Sequence, residues 1–122
     1  MVLIDTNILI EIIRHNANII EKCDALGVDN LAISSISYVE FLVGSRDKQD
    51  LYRNMKFLNK FRQIAVDENI NDTLISIFEN YSLSHRPSIP DMLIAATAIY
   101  YKTPLYTLNS KDFIYLADLT LI

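Results

Sequence analysis

Five short runs of apolar and β-branched residues recur along the chain, at residues 2–4, 31–34, 64–66, 105–108 and 119–122. Each has the length of a strand, and between them lie segments of helix length. Helices are predicted over 8–14, 17–26, 37–43, 49–61, 69–81 and 91–102, with a short turn over 111–116. Gly27 and Gly44 stand where the second and third should end. Strands that alternate with helices are joined by crossovers, which makes neighbouring strands parallel and covers both faces of the sheet. The pattern therefore predicts an α/β fold. A chain of 122 residues suffices for one such domain with a real core, and no linker, repeat or biased tract divides it, so 1–122 is read as one unit. The polar piece SLSHRPSIPD, residues 82–91, reads as a loop before the last helix.

Composition removes several function classes. With only two glycines, neither a G-x-G-x-x-G loop nor a phosphate-cradling P-loop can be written. Hydrophobic residues make up 51%, yet charged residues such as Asp5 and Glu11 interrupt every apolar stretch well short of the roughly 20 residues a membrane span requires. The single cysteine, Cys23, allows no intramolecular disulfide and is expected in the core. A soluble protein of the reducing cytoplasm, without a signal peptide or membrane partner, is the expectation. A net charge of −4 at first disfavours a nucleic-acid partner. That objection weakens if the acids are gathered, because two divalent cations would neutralise four carboxylates.

Ligands of open parallel sheets gather at the carboxyl ends of the strands. Asp5 directly follows the first run, Glu40 lies a short turn past the second, and Asp112 lies just past the fourth. Asp91 opens the helix leading into that fourth run. Each has a plain alternative reading. Ser37-x-x-Glu40, Ser88-x-x-Asp91 and Asn109-x-x-Asp112 all match helix-capping signatures. Asp5 fits capping less well, since Asn7 is the better expected cap for the helix that follows. A shared cluster accounts for all four acids at once. Carboxylates without histidine or cysteine suit magnesium or manganese rather than zinc, and a pair of such ions can activate water against a phosphodiester. His15 and His85 have no ligand spacing and read as ordinary residues at a helix end and in a loop. No G-x-S-x-G elbow occurs, and the seven tyrosines read as core or partner-facing residues rather than a base-stacking platform.

The segments VLIDTNILIE, SISYVEFLVG, PDMLIAATA and TPLYTLNSKDF, in that order and spacing, resemble the signature segments of PIN-domain ribonucleases, particularly the VapC-type toxins of toxin–antitoxin pairs. The resemblance runs from residue 2 to about residue 113. Carried over position by position, it implies that Asp5, Glu40, Asp91 and Asp112 are the metal-binding acids and that Thr6, Asn7, Thr107 and Asn109 support them. Phe41 departs from the pattern, in which leucine commonly follows the glutamate. The resemblance further implies a five-stranded parallel sheet, a magnesium- or manganese-dependent endoribonuclease acting as a toxin, a homodimer, and a cognate antitoxin. On this reading Asp112 binds a second ion directly or acts through water, and Arg46, Lys48, Arg86 and Lys111 either touch RNA phosphates or are solvated surface charges. Two rivals stay open. A non-catalytic interaction module could keep the fold, and a magnesium-dependent aspartyl phosphotransferase would use Asp5 as nucleophile, although the second acid usual two residues on is here Asn7.

Overall fold

The computed structural model describes residues 1–122. Four strands, β1 (Val2–Ile4), β2 (Leu31–Ser34), β3 (Arg62–Ile64) and β4 (Leu105–Tyr106), form one parallel sheet in the order β3-β2-β1-β4. Six helices connect them: α1 (Thr6–Ile13), α2 (Ala17–Leu26), α3 (Ser35–Val43), α4 (Lys48–Leu58), α5 (Glu68–His85) and α6 (Ile89–Tyr100). The α/β class holds, with helices on both faces of the sheet.

Strand alternation sorts the core into two layers. On one face Leu3, Ala32 and Leu105 pack against Ile70 and Ile77 of α5, the alanine-rich α6 and Phe113. On the other, Val2, Ile4, Leu31, Ile33 and Tyr106 pack against Ile8 and Leu9 of α1, Ile19 and Cys23 of α2, and Leu58 of α4. Cys23 is a buried free thiol, as its sequence context predicts.

The expected fifth strand is not formed. The segment 119–122 makes a single parallel bridge, Leu121 to Leu105, with Leu105 N donating to Thr120 O at 2.8 Å and Ile122 N to Leu105 O at 3.0 Å. The sheet therefore has four strands rather than five. The reason lies in β4, which stops at Tyr106 instead of running to 108 because Asn7 and Thr107 capture the backbone amides of Leu108 and Asn109. A two-residue strand gives its neighbour no ladder to extend.

Helix boundaries follow side-chain caps. Asp5, Asn16, Ser34, Asp47, Asp67 and Ser88 each accept an amide proton from the first turn of the helix they precede. Two expectations change here. Asp5, not Asn7, caps α1, so the first helix begins at Thr6. Residues 82–91 are mostly helical rather than a loop: α5 runs to His85 and α6 begins at Ile89. The serines that suggest a loop instead bond back to helical carbonyls, Ser82 to Phe78 and Ser84 to Tyr81, and so are tolerated at the exposed end of α5. Arg86 then turns left-handed, at φ 45° and ψ 56°, and Pro87 prevents further helix.

Candidate active site

In the sheet order β3-β2-β1-β4, the chain leaves β1 toward β2 on one side and returns to β4 on the other. Open α/β sheets bind ligands at such a reversal, outside the carboxyl ends of the strands. Asp5 follows β1 there and Thr107 follows β4.

Asp5 is 5% exposed and has no basic partner. Its two carboxylate oxygens are each held: Oδ1 accepts the Thr6 amide at 2.7 Å and Oδ2 accepts the Thr107 hydroxyl at 2.8 Å. The Thr107 oxygen in turn accepts the Asn109 amide at 3.0 Å and the Asn7 side-chain amide at 3.4 Å, and Asn7 Oδ1 accepts the Leu108 amide at 3.3 Å. Burial pushes the Asp5 carboxyl above the ordinary aspartate range; the bonds from Thr107 and Thr6 pull it back, while the charges of Asp91 and Glu40 push it further up. Both acids are thus close enough for Asp5 to feel their charge.

Glu40 reaches this centre from α3. Its Oε1 accepts the Thr6 hydroxyl at 2.8 Å, so a single residue at the start of α1 holds both acids, Asp5 by its amide and Glu40 by its hydroxyl. The capping reading of Glu40 fails, because Ser34 caps α3 and Ser37 is interior, its buried hydroxyl without a partner. Asp91 lies in the first turn of α6, where the Ser88 hydroxyl accepts its amide proton at 3.2 Å. For Asp91, capping geometry and proximity to Asp5 coexist. Asp112 lies further out, in a 3-10 turn (Ser110–Asp112), and its side of the site is a cleft of about 320 Å³ shared with Asp91, Arg86 and Lys111.

Asp5, Glu40 and Asp91 thus lie near the carboxyl end of β1, with Asp112 in the cleft beside Asp91, but no group of three acidic, histidine or cysteine side chains closes tightly enough to hold a metal ion by itself. The donors nearest the centre, Asp5, Glu40 and Asp91, are all oxygen, a set that fits a hard divalent cation. A buried carboxylate with two acid neighbours and no basic partner is the place where such a charge is wanted.

The basic residues separate. Arg86 and Lys111 line the Asp91–Asp112 cleft, and neither is in a salt bridge. Arg46 shares a groove with Glu40 but bonds to Asp50 through both its amide, at 3.0 Å, and its guanidinium, at 3.5 Å. Lys48 lines an apolar depression with Leu51, Tyr52 and Met55, in which none of the four acids takes part. Two residues of the cleft carry no sequence signal. Tyr115 and His85 stack at 3.9 Å although thirty positions apart, a pairing created by the C-terminal turn folding back on α5.

Residues 2–119 match the family model for the PIN domain. The chain is a PIN domain. It is 34% identical over 116 residues to Ribonuclease VapC1 of Methanocaldococcus jannaschii, an alignment spanning 92% of this chain and 78% of that protein. Its fold is similar to a toxin–antitoxin complex from Klebsiella pneumoniae, with a TM-score of 0.83 and 26% identity over 100% of this chain and 96% of the other. It is also similar to VapBC2 of Rickettsia felis bound to a promoter DNA fragment, with a TM-score of 0.82 and 26% identity over 100% and 98% of the two chains. The VapC resemblance of the four segments thus extends over nearly the whole PIN domain. No helix of this PIN domain is long and apolar enough to cross a membrane.

Proposed function

We propose that this PIN domain is a divalent-metal-dependent endoribonuclease, the toxin of a toxin–antitoxin pair, acting in the cytoplasm as a homodimer restrained by a cognate antitoxin. Asp5 carries the reading. Its carboxylate is buried, made harder to ionise by burial and by Asp91 and Glu40, and without a basic partner at the reversal point of the sheet. Keeping a charge there without a counter-charge is costly unless a cation arrives with function. The VapC-type relative and the toxin–antitoxin structures support the choice of RNA as substrate and of an antitoxin as partner.

Asp5, Glu40 and Asp91 would hold magnesium or manganese, and Asp112 would take a second ion or act through water. Ions bound there supply charge neutralisation for the phosphodiester and acidify water for attack. The protein's own work is orientation. Thr107 and the Thr6 amide fix both oxygens of Asp5, the Thr6 hydroxyl fixes Glu40, and Asn7 with the Asn109 amide fixes Thr107. With both Asp5 oxygens engaged, attack by Asp5 itself on phosphorus is disfavoured, and activated water is the nucleophile of this reading.

The test is cleavage of RNA by purified protein with magnesium, manganese or EDTA, alongside Asp5→Asn. The expected products carry a 5′-phosphate and a 3′-hydroxyl, and both EDTA and the substitution abolish them. Cyclic 2′,3′-phosphate ends persisting in EDTA would overturn the reading, as would activity retained by Asp5→Asn.

A further inference from the structure

The cleft beside Asp91 and Asp112 contains more than acids. His85, the last residue of α5, lays its ring on Tyr115 with centroids 3.9 Å apart and planes 13° from parallel. Tyr81 meets Tyr115 edge-on at 5.2 Å, so the lower ring is braced from the side. Tyr115 is half-buried and its hydroxyl points to the Met92 sulfur at 3.7 Å. His85 is exposed; its Nδ1 lies 2.7 Å from the Ser84 hydroxyl, and Tyr81 meets its ring edge-on at 5.7 Å, so the imidazole is held in place while remaining accessible to solvent. The next residue, Arg86, takes the left-handed turn that ends α5, at φ 45°, and lines the cleft. Lys111 lines the same cleft. Neither cation pairs with the acids that share the cleft.

A braced aromatic surface flanked by two uncommitted cations, in a cleft of about 320 Å³, has the chemistry of a single-stranded nucleic-acid site: a π-face for a base and positive groups for its phosphates. We propose that His85 stacked on Tyr115, with Arg86 and Lys111, forms a nucleotide subsite that takes one unpaired RNA base and an adjoining phosphate beside Asp91 and Asp112. This rests on the ribonuclease reading and deepens it. RNA bound there enters the acid centre from the α5–α6 side, with the cut strand required to be single-stranded because a paired base cannot reach the His85 face.

Binding of a short fluorescein-labelled single-stranded RNA of mixed sequence, measured by anisotropy in EDTA with the cleavage-defective Asp5→Asn protein, tests the subsite apart from catalysis. His85→Ala should weaken binding about tenfold, and His85→Phe, which keeps a stacking face, should bind within about twofold of the parent. Lys111→Ala should lower the slope of log affinity against log salt by about one, whereas Lys56→Ala on α4 should leave it unchanged. Thermal unfolding verifies that each variant is folded. Equal binding by His85→Ala and its parent, an equal loss in His85→Phe, an unchanged salt slope in Lys111→Ala, or no binding by the parent overturns the subsite. Cleavage by the otherwise wild-type protein in magnesium or manganese is scored separately. RNA bound through His85 but never cut sinks the nuclease reading alone, and RNA cut without dependence on His85 sinks the subsite alone.

Discussion

Replacing Thr107 by valine removes one hydroxyl at nearly constant shape, and that hydroxyl is the hub of the site. It donates to the buried Asp5 carboxylate at 2.8 Å and accepts from the Asn109 amide at 3.0 Å. A hydrogen bond to a charged group contributes about 1.5–3 kcal/mol, against which valine gains up to about 0.8 kcal/mol by burying a methyl group. The net cost at neutral pH without metal should be about 2 kcal/mol. With a urea slope of about 1.5 kcal/mol per molar, the unfolding midpoint falls by about 1.3 M. The pH dependence is the sharper consequence. Asp5 has a raised folded-state value, so its contribution to stability is fully present below the unfolded value of about 3.9 and is lost as pH rises through the folded value. The Thr107 bond holds that folded value down, so the variant loses more over the same rise. At acid pH, where Asp5 is protonated in both proteins, only a neutral hydrogen bond is at stake and the difference should shrink to about 0.5 kcal/mol. Urea unfolding of both proteins in EDTA, from about pH 4 to about pH 8, gives the difference directly, since every other acid is common to the pair. A difference that stays constant over this range, or is below about 0.5 kcal/mol at neutral pH, would refute the assignment of Thr107 as the group that keeps Asp5 charged.

Asp91→Asn should raise stability in EDTA at pH 7 by about 0.5–2 kcal/mol, because relief of Asp5 outweighs the roughly 0.3–1 kcal/mol of dipole compensation lost at the start of α6. Magnesium should reverse that order, since the wild type then gains binding energy; a variant less stable in EDTA leaves capping as the whole role of Asp91. Expression of the wild-type protein alone should arrest growth, and a small protein encoded beside its gene should relieve the arrest by presenting a basic side chain to the acids; normal growth with folded protein present would count against the toxin role. Glu40→Gln should abolish RNA cleavage while Thr6→Ser, which keeps the hydroxyl on Glu40, should retain most of it; comparable loss in both would show that the Thr6 methyl, not its hydroxyl, matters.

Local chemistry wrote the alternation of strands and helices, the parallel sheet and the acids at the strand ends into the sequence. Apolar period, cap residues and strand-end placement depend on neighbours a few residues apart, and on that basis together with the family pattern Asp5, Glu40, Asp91 and Asp112 were singled out as candidates, of which the structure brings the first three near one another. Contacts between distant segments were not. The fifth strand stays a single bridge beside a β4 that ends at Tyr106, where Asn7, 101 positions from Leu108, takes the next amide. Asp5 caps α1 where Asn7 was the expected cap, because the Asn7 side chain is drawn across to Thr107 and Leu108. His85 and Tyr115 meet only because the turn after β4 folds back onto the end of α5. Short-range energetics chooses the elements from neighbouring residues, whereas the buried charge of Asp5 is made tolerable by groups that only the closed sheet brings together.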